Sequence, residues 1–430
     1  MIKKIVHQLY SRLSRLIKLL PFYNYLEYKK KKSRYKRILA TLKKKKRVNV
    51  ILHMYGADLW KLDCVYNELL NSSKFEPYVL IAPMTNRPID YIKKSLTECV
   101  SYCKIKKYNY LVGIDEKGET TGVKNNIIFD VILFTNPNNF TSVDYKLRNN
   151  ANSLSCYIPY SVRVDKLYQY SYNNSFVNSM WTHFLESDIH KSLAEKYSDV
   201  KGNNCVVTGH PQLDFFKSQV NHYRPMKKSN KLHIVWAPHW TIPNIMNDKK
   251  APLNWGTFDI YYEAFLSIAS LFSNVLRFTL KPHPSLFYRM SNSDKYGQQF
   301  TENFKKKWQV LDNCTIHEGN YEDLFLDSDA LIHDSGSFSV EYLQLDKPVA
   351  YLYNPECGEK IVDRFNPYGE KAIEAHSLIS SEEELLEFIH SIIAGIDKRK
   401  KDRKKFIRKY LDSNKLASKN IADYIENQLS

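Results

Sequence analysis

The stretch ALIHDSGSFSVEYLQLDKPVAYL, residues 330–352, holds a complete strand–helix–strand unit. Ala330-Leu331-Ile332 is a short apolar run that reads as a buried strand, and Phe338 to Leu345 repeats its apolar residues at helical spacing. Lys347-Pro348 stops that helix ahead of a second apolar run, Val349 to Leu352. Two continuously apolar strands joined through a helix imply a parallel sheet, which needs helices on both faces.

The same alternation extends outward in both directions. Upstream, Leu232 to Ala237 reads as a strand, Ile260 to Phe272 as a helix and Val275 to Leu280 as the next strand. Further back come strands at Val48 to Leu52, Tyr78 to Ile81, Ile127 to Phe134, Leu154 to Ile158 and Cys205 to Val207. Helices are expected at Asp58 to Leu70 and Asp188 to Tyr197, and the chain ends in helices at 382–393 and roughly 400–428. The polar, basic stretch Phe216 to Lys231, with Pro225 inside it, is the best linker candidate. With 430 residues to organise, the expectation is two Rossmann-like α/β domains, 48–222 and 223–430, facing a cleft, with ligand at the carboxyl ends of the strands.

Composition narrows the function classes. Thirteen glycines without GxGxxG or GxxxxGK[ST] exclude the usual dinucleotide and P-loop phosphate sites. Seven cysteines, an odd number with no CxxC pair, suggest neither a disulfide framework nor a zinc site, and a reducing compartment fits. No acidic metal cage is visible, so no cofactor is required and a divalent cation is optional. The net charge of +17 is concentrated at the N-terminus: residues 1–47 carry +16, residues 48–397 carry −6, and Lys398 to Lys409 hold nine basic residues against Asp402.

Within the first twenty residues Ile2, Ile5, Val6, Leu9, Leu13, Leu16, Ile17 and Leu20 recur on one helical face, with Lys4, Arg12, Arg15 and Lys18 mainly opposite and Pro21 as the stop. Lys29 to Lys32, Arg34, Lys36, Arg37 and Lys43 to Arg47 follow. An apolar face followed by a polybasic run supplies two membrane signals, so residues 1–47 are expected to attach the protein to an anionic membrane surface. The alternative is a helix docked on the protein's own surface followed by a solvated charge run. The apolar stripe and the acidic body argue against nucleic acid as a partner.

Two segments carry the chemistry. Lys281-Pro282-His283-Pro284-Ser285 follows a strand, and its prolines hold His283 in a stiff turn where the imidazole can meet a phosphate or a departing oxygen. His333-Asp334-Ser335-Gly336-Ser337 lies between a strand and a helix start, where small residues and the Ser335 and Ser337 hydroxyls suit an anion such as a pyrophosphate. Ser337 as an ordinary helix cap is the competing explanation. Glu341, one turn on, could accept ribose hydroxyls.

Together these residues resemble the CDP-glycerol glycerophosphotransferase family, the teichoic acid polymerases and primases. The likeness spans roughly residues 200–425. It runs through Gly209-His210-Pro211-Gln212-Leu213-Asp214, Trp236-Ala237-Pro238-His239-Trp240, Lys281 to Pro284, Ser328 to Ser337 with Glu341 as the following acid, and Lys347-Pro348-Val349. The sequence departs from the family pattern at Gln212, His333, Ser335 and Gly336. It also lacks the His-Gly-Thr-Pro motif whose histidine is thought to be the base, carrying Cys156-Tyr157-Ile158-Pro159-Tyr160-Ser161 near that place. His53 or Asp58 could replace that base.

The resemblance implies a GT-B fold whose C-terminal domain binds the nucleotide. The implied reaction is attack of a hydroxyl of a lipid-linked or polymeric acceptor on a CDP-activated polyol, at the cytoplasmic face of the cell membrane in envelope or capsule polymer synthesis. His283 with Ser335, Gly336 and Ser337 would meet the pyrophosphate, and His239, Lys281, His333, Asp334 and Glu341 would complete the donor site. The rival readings are a GT-B glycosyltransferase using a CMP- or UDP-sugar and a non-catalytic membrane scaffold.

Overall fold

The computed structural model describes residues 23–137, 140–219, 230–242, 255–357, 361–412 and 415–430. The chain forms two compact units: one of residues 1–161, 167–212 and 415–430, the other of 162–166 and 213–414.

The first unit carries β1 (Val48–Met54), β2 (Phe75–Ile81), β3 (Tyr110–Val112), β4 (Val131–Phe134), β5 (Leu154–Tyr157), β6 (Thr182–Leu185) and β7 (Cys205–Val207). They pair in the order β3-β2-β1-β4-β5-β6-β7, every pair parallel. The second unit carries β8 (Leu232–Ala237), β9 (Leu276–Leu280), β10 (Cys314–Ile316), β11 (Ala330–His333), β12 (Val349–Leu352) and β13 (Ser377–Ile379). Their order is β10-β9-β8-β11-β12-β13, again all parallel. Each sheet winds outward in both directions from its first strand, the doubly wound Rossmann arrangement, and reverses between β1 and β4 or between β8 and β11. At such a reversal the chain leaves neighbouring strands in opposite directions and opens a ligand crevice at their carboxyl ends. The central strands are buried on both faces, as their unbroken apolar runs require: Val50, Ile51 and Leu52 in β1, and Ile234 to Trp236 in β8, are fully covered. Trp236 fills the second core, stacked on Phe265 at 4.0 Å and Phe258 at 5.6 Å.

Several expected boundaries shift for identifiable reasons. The first strand runs two residues further, to Met54, which puts His53 inside β1 rather than after it. The helix expected from Asp58 begins at Asp63, whose carboxylate is held by Trp60 Nε1 at 2.5 Å, Tyr102 at 2.6 Å and Tyr108 at 2.8 Å. Asp58 is left in the preceding loop, exposed. The helix after β11 is α-helical only over Phe338–Glu341 and then tightens to a 3₁₀ turn, Tyr342–Leu345. The expected linker starts as structure: Pro211–Gln219 is a helix, and its Phe216 is fully buried against Tyr321 and Phe325 of the second unit. Residues 220–229 of that linker lie outside the described residues. The closing helix, read as part of the second domain, divides. Lys400–Phe406 stays with the second unit, whereas Ala417–Leu429 joins the first, burying Ile421, Ala422, Ile425 and Leu429 and touching Ser72 through Glu426.

The amphipathic stretch Ile2 to Leu20 lies outside the described residues. Much of the polybasic run behind it is helical, Tyr23–Leu42, and docked on the first unit. Tyr28, Tyr35 and Leu42 are buried, the Tyr35 hydroxyl donates to the Ser179 carbonyl at 2.8 Å, and Lys31 donates to the Ser179 hydroxyl. Lys45 pairs with Asp130 at 2.8 Å. Part of the basic charge is therefore used inside the fold. Among the described residues no helix is long and apolar enough to cross a membrane.

Candidate functional site

In the second unit three strand ends meet at the reversal between β8 and β11. Pro238-His239 leaves β8, Lys281-Pro282-His283 leaves β9, and Asp334 leaves β11. Backbone bonds lock the first two turns together: Lys281 N–H donates to the Trp236 carbonyl at 2.7 Å and His283 N–H to the Pro238 carbonyl at 3.1 Å. The imidazoles of His239 and His283 lie 5.4 Å apart, edge to face. Trp240 borders His283 at 6.1 Å and carries the Arg289 guanidinium over its own ring at 4.0 Å.

Hydrogen-bond accounting assigns the tautomers. Ser285 N–H donates to His283 Nδ1 at 3.1 Å, so the proton of neutral His283 sits on Nε2. At His239, Thr241 Oγ1 accepts from the Trp255 and Gly256 amides, both at 3.0 Å, and its own proton points to His239 Nδ1 at 2.8 Å. His239 is therefore also a donor through Nε2. Both rings are kept neutral. Burial lowers His239 to about 3, and burial with the neighbouring His239, Lys281 and Arg289 carries His283 well below the usual histidine range. The turns thus offer two fixed N–H donors, a suitable instrument for phosphoryl oxygens.

Asp334 closes the arrangement from the β11 side. Its carboxylate accepts from His239 N–H at 2.5 Å, Thr257 N–H at 2.6 Å and the Thr257 hydroxyl at 2.9 Å, and burial raises it to about 6. A carboxylate so engaged positions the His239 turn and is not free to meet an anionic ligand. Beyond it, Ser335 and Ser337 are partly exposed and Gly336 is buried under Trp255. A Cβ at residue 336 would stand 2.1 Å from Trp255 Cζ3, so glycine alone fits this close approach. Ser337 makes no capping bond to its own helix, against its reading as an ordinary cap. Among the described residues the Gly336 and Ser337 amides have no backbone partner.

The remaining candidates are placed less directly. His333 is fully buried within β11, its Nδ1 accepting from Ser335 N–H at 3.2 Å, and it packs edge-on to Tyr351. Lys281 is buried, and its Nζ donates to the Pro282 carbonyl at 3.3 Å. Glu341 is buried, and its carboxylate takes the Tyr321 hydroxyl proton bond, which leaves it poorly suited to ribose. His53 and Asp58 belong to the first unit. The His53 ring stacks on Tyr55 at 4.0 Å, wholly buried, and burial lowers it to about 3. In the same unit His210 Nε2 bonds the Pro159 carbonyl at 2.9 Å, tying the Gly209 to Asp214 segment to the end of β5.

Sequence reasoning missed Thr241, Trp255, Thr257 and Tyr351, which hold the site residues in place. Thr241 directly follows the Trp236 to Trp240 segment; the others carry no signal until the fold assembles them. Among the described residues no three His, Cys, Asp or Glu side chains converge to hold a metal ion.

Comparison with solved structures finds this fold in a variant of the wall teichoic acid polymerase TagF: TM-score 0.56 at 12% identity, covering 95% of this chain and 97% of that one. It is also found in UDP-GlcNAc 2-epimerase from Neisseria meningitidis bound to UDP-GlcNAc, with TM-score 0.52 at 13% identity over 89% and 99% of the two chains. The Methanocaldococcus jannaschii UDP-GlcNAc 2-epimerase in complex with UDP-GlcNAc and UDP gives 0.54 at 12% identity, over 89% and 99%. Likeness at these identities establishes the GT-B fold. No curated protein matches the sequence. The family model for CDP-glycerol:poly(glycerophosphate) glycerophosphotransferase matches residues 165–427, which include every segment of the second unit's site but not His53 or Asp58. By that match, over more than half its length, the chain belongs to the CDP-glycerol:poly(glycerophosphate) glycerophosphotransferase family and is a transferase.

Proposed function

We propose that the protein transfers a polyol phosphate from a CDP-activated polyol, CDP-glycerol first among them, to a hydroxyl of a lipid-linked or polymeric acceptor in the synthesis of a teichoic-acid-like or capsular envelope polymer. The acceptor oxygen bonds to the β-phosphorus, the bridging P–O bond breaks, and CMP leaves with the electron pair. The acceptor proton passes to a base.

The observation that carries this reading is the pair of neutral, Nε2-protonated imidazoles, His239 and His283, 5.4 Å apart beside the Ser335-Gly336-Ser337 turn. Two such donors stabilise charge gathering on the departing phosphate without the reorganisation that water would need. The reaction as written needs no cofactor, and a divalent cation is an additive for the assay to test. Residues 1–47 attach the enzyme to an anionic membrane surface, where a lipid-linked acceptor resides.

The test is titration of purified protein with CDP-glycerol, CDP-ribitol, CMP-sugars and UDP-sugars, following the nucleotide released. CMP release from a CDP-polyol in the presence of acceptor is expected. Turnover of nucleotide sugars alone would identify a glycosyltransferase on the same fold, and no turnover of any donor would leave a binding scaffold.

A further inference from the structure

A diphosphate brings at least two negative charges, and of the groups so far described only Lys281, whose Nζ is turned to the Pro282 carbonyl, and Arg289, which lies over Trp240, carry positive charge. His239 and His283 are neutral, and the helix after Ser337 has only four α-helical residues, too few for an appreciable dipole. Cationic side chains must supply the difference. Arg364, at the end of the short helix Ile361–Arg364, is one that the sequence did not single out.

Its side chain is only 6% exposed, and among the described residues its Nε and Nη1, shut off from solvent, have no hydrogen-bond partner. A guanidinium stays charged at any pH at which proteins fold, and arginine is almost never fully buried unless paired. The contrast within the same unit is Arg403. It is also buried, but it is satisfied by Asp346 at 2.9 Å and by Asp397. Arg403 is a structural arginine, whereas Arg364 is a cation awaiting acceptors.

Its location says which. The Arg364 guanidinium hydrogen-bonds the Tyr351 hydroxyl, and that hydroxyl donates to the Asp334 carbonyl at 3.3 Å, at the start of the Ser335-Gly336-Ser337 turn. The next residue, Phe365, packs on Tyr351 at 5.5 Å and on Trp255 at 5.7 Å, and Trp255 covers Gly336. Arg364 and the residue that follows it are thereby fastened to the phosphate turn. We infer that Arg364 is a cationic ligand of the donor's diphosphate, its planar fork engaging phosphate oxygens beside the Ser335-Gly336-Ser337 turn. The inference rests on the reading of that turn as a diphosphate site.

The experiment compares wild type, R364M and R364K for binding of CDP by calorimetry and for thermal midpoint with and without CDP. R364M removes a buried unpaired charge at similar length. It is expected to keep or raise the midpoint of the free protein while weakening CDP roughly tenfold or more and abolishing the CDP-induced shift. R364K, a point charge without the fork, is expected to fall between. Unchanged CDP affinity in R364M overturns the inference, as does a lowered midpoint with the CDP shift intact, the mark of a structural arginine. Should R364M fail to fold, R364K decides: weakened CDP binding supports the assignment and unchanged binding overturns it. Wild type that ignores CDP but binds UDP through Arg364 would sink the CDP-polyol reading and keep this one. Wild type that binds neither, nor inorganic pyrophosphate, sinks both.

Discussion

His283 owes its usefulness to what surrounds it. The flanking prolines set its turn, Ser285 N–H occupies Nδ1, and burial beside Lys281 and Arg289 keeps the ring uncharged, so one N–H donor is left for the proposed contact with phosphate. Removing one positioned donor to developing charge costs on the order of 3 kcal/mol, about a hundredfold in rate. H283A is accordingly expected to lower turnover about a hundredfold with the thermal midpoint nearly unchanged; steady-state kinetics beside a melting curve decides, and full activity would remove His283 from the site. His283, His239 and Gly336 could be picked out of the sequence as candidates because each stands in a short segment whose spacing carries meaning. The sequence did not show the partners of Asp334, Thr257 and His239, which come from 77 and 95 residues away. Arg364 was invisible for a related reason: in the run Val362-Asp363-Arg364 it looks like any solvated charge, and only folding places it next to Tyr351.

At the scale of elements, long apolar strands were readable and most edge strands were not, the edge strand β7 being the exception. Val48 to Leu52, Leu232 to Ala237 and Val349 to Leu352 are apolar runs long enough to stand out. The edge strands β3, β10 and β13 have three residues each, and Thr182–Leu185 holds Thr and His in a fully buried strand. The N-terminal tract shows how a charge count can mislead. Tyr28, Tyr35 and Leu42 make one face of the helix Tyr23–Leu42 part of the first unit, so removing residues 1–47 would strip a packed face as well as any membrane anchor. Losing such buried side chains costs about 2 to 5 kcal/mol each. The informative pair is therefore removal of residues 1–20 against removal of 1–47. The shorter deletion is expected to release the protein from anionic vesicles at unchanged thermal midpoint, and the longer one to lower the midpoint as well. Sedimentation with vesicles reads the first, melting curves the second. Continued vesicle binding after loss of 1–20 would assign membrane contact to another part of the chain.

At the scale of the molecule the histidines set a limit on working pH. Burial holds His239 and His376 neutral down to about 3 and His233 to about 4, while an unfolded chain protonates them near 6.5. Because the folded values are depressed, the unfolded state binds more protons between those limits, and stability falls as pH drops through 6.5 toward 4. At pH 5 each such histidine withdraws about 2 kcal/mol, some 6 kcal/mol for the three. Asp334 works in the opposite sense. Raised to about 6 by burial, it favours the folded state as it protonates and returns about 1 kcal/mol at pH 5. The net loss of about 5 kcal/mol is comparable to the whole stability of many domains. All four groups belong to the second unit, and in the first unit burial lowers His53 in the same way. Acid is therefore expected to unfold the second unit ahead of the first. Four of the six tryptophans, Trp236, Trp240, Trp255 and Trp308, lie in that unit and Trp60 and Trp181 in the first, so tryptophan fluorescence melts between pH 7 and pH 5 follow chiefly the second. H376Q, which deletes one buried titrating ring, is expected to reduce the slope by about one proton; a wild-type transition that does not move over that range would contradict the neutral state of these rings, and with it the donor role given to His239.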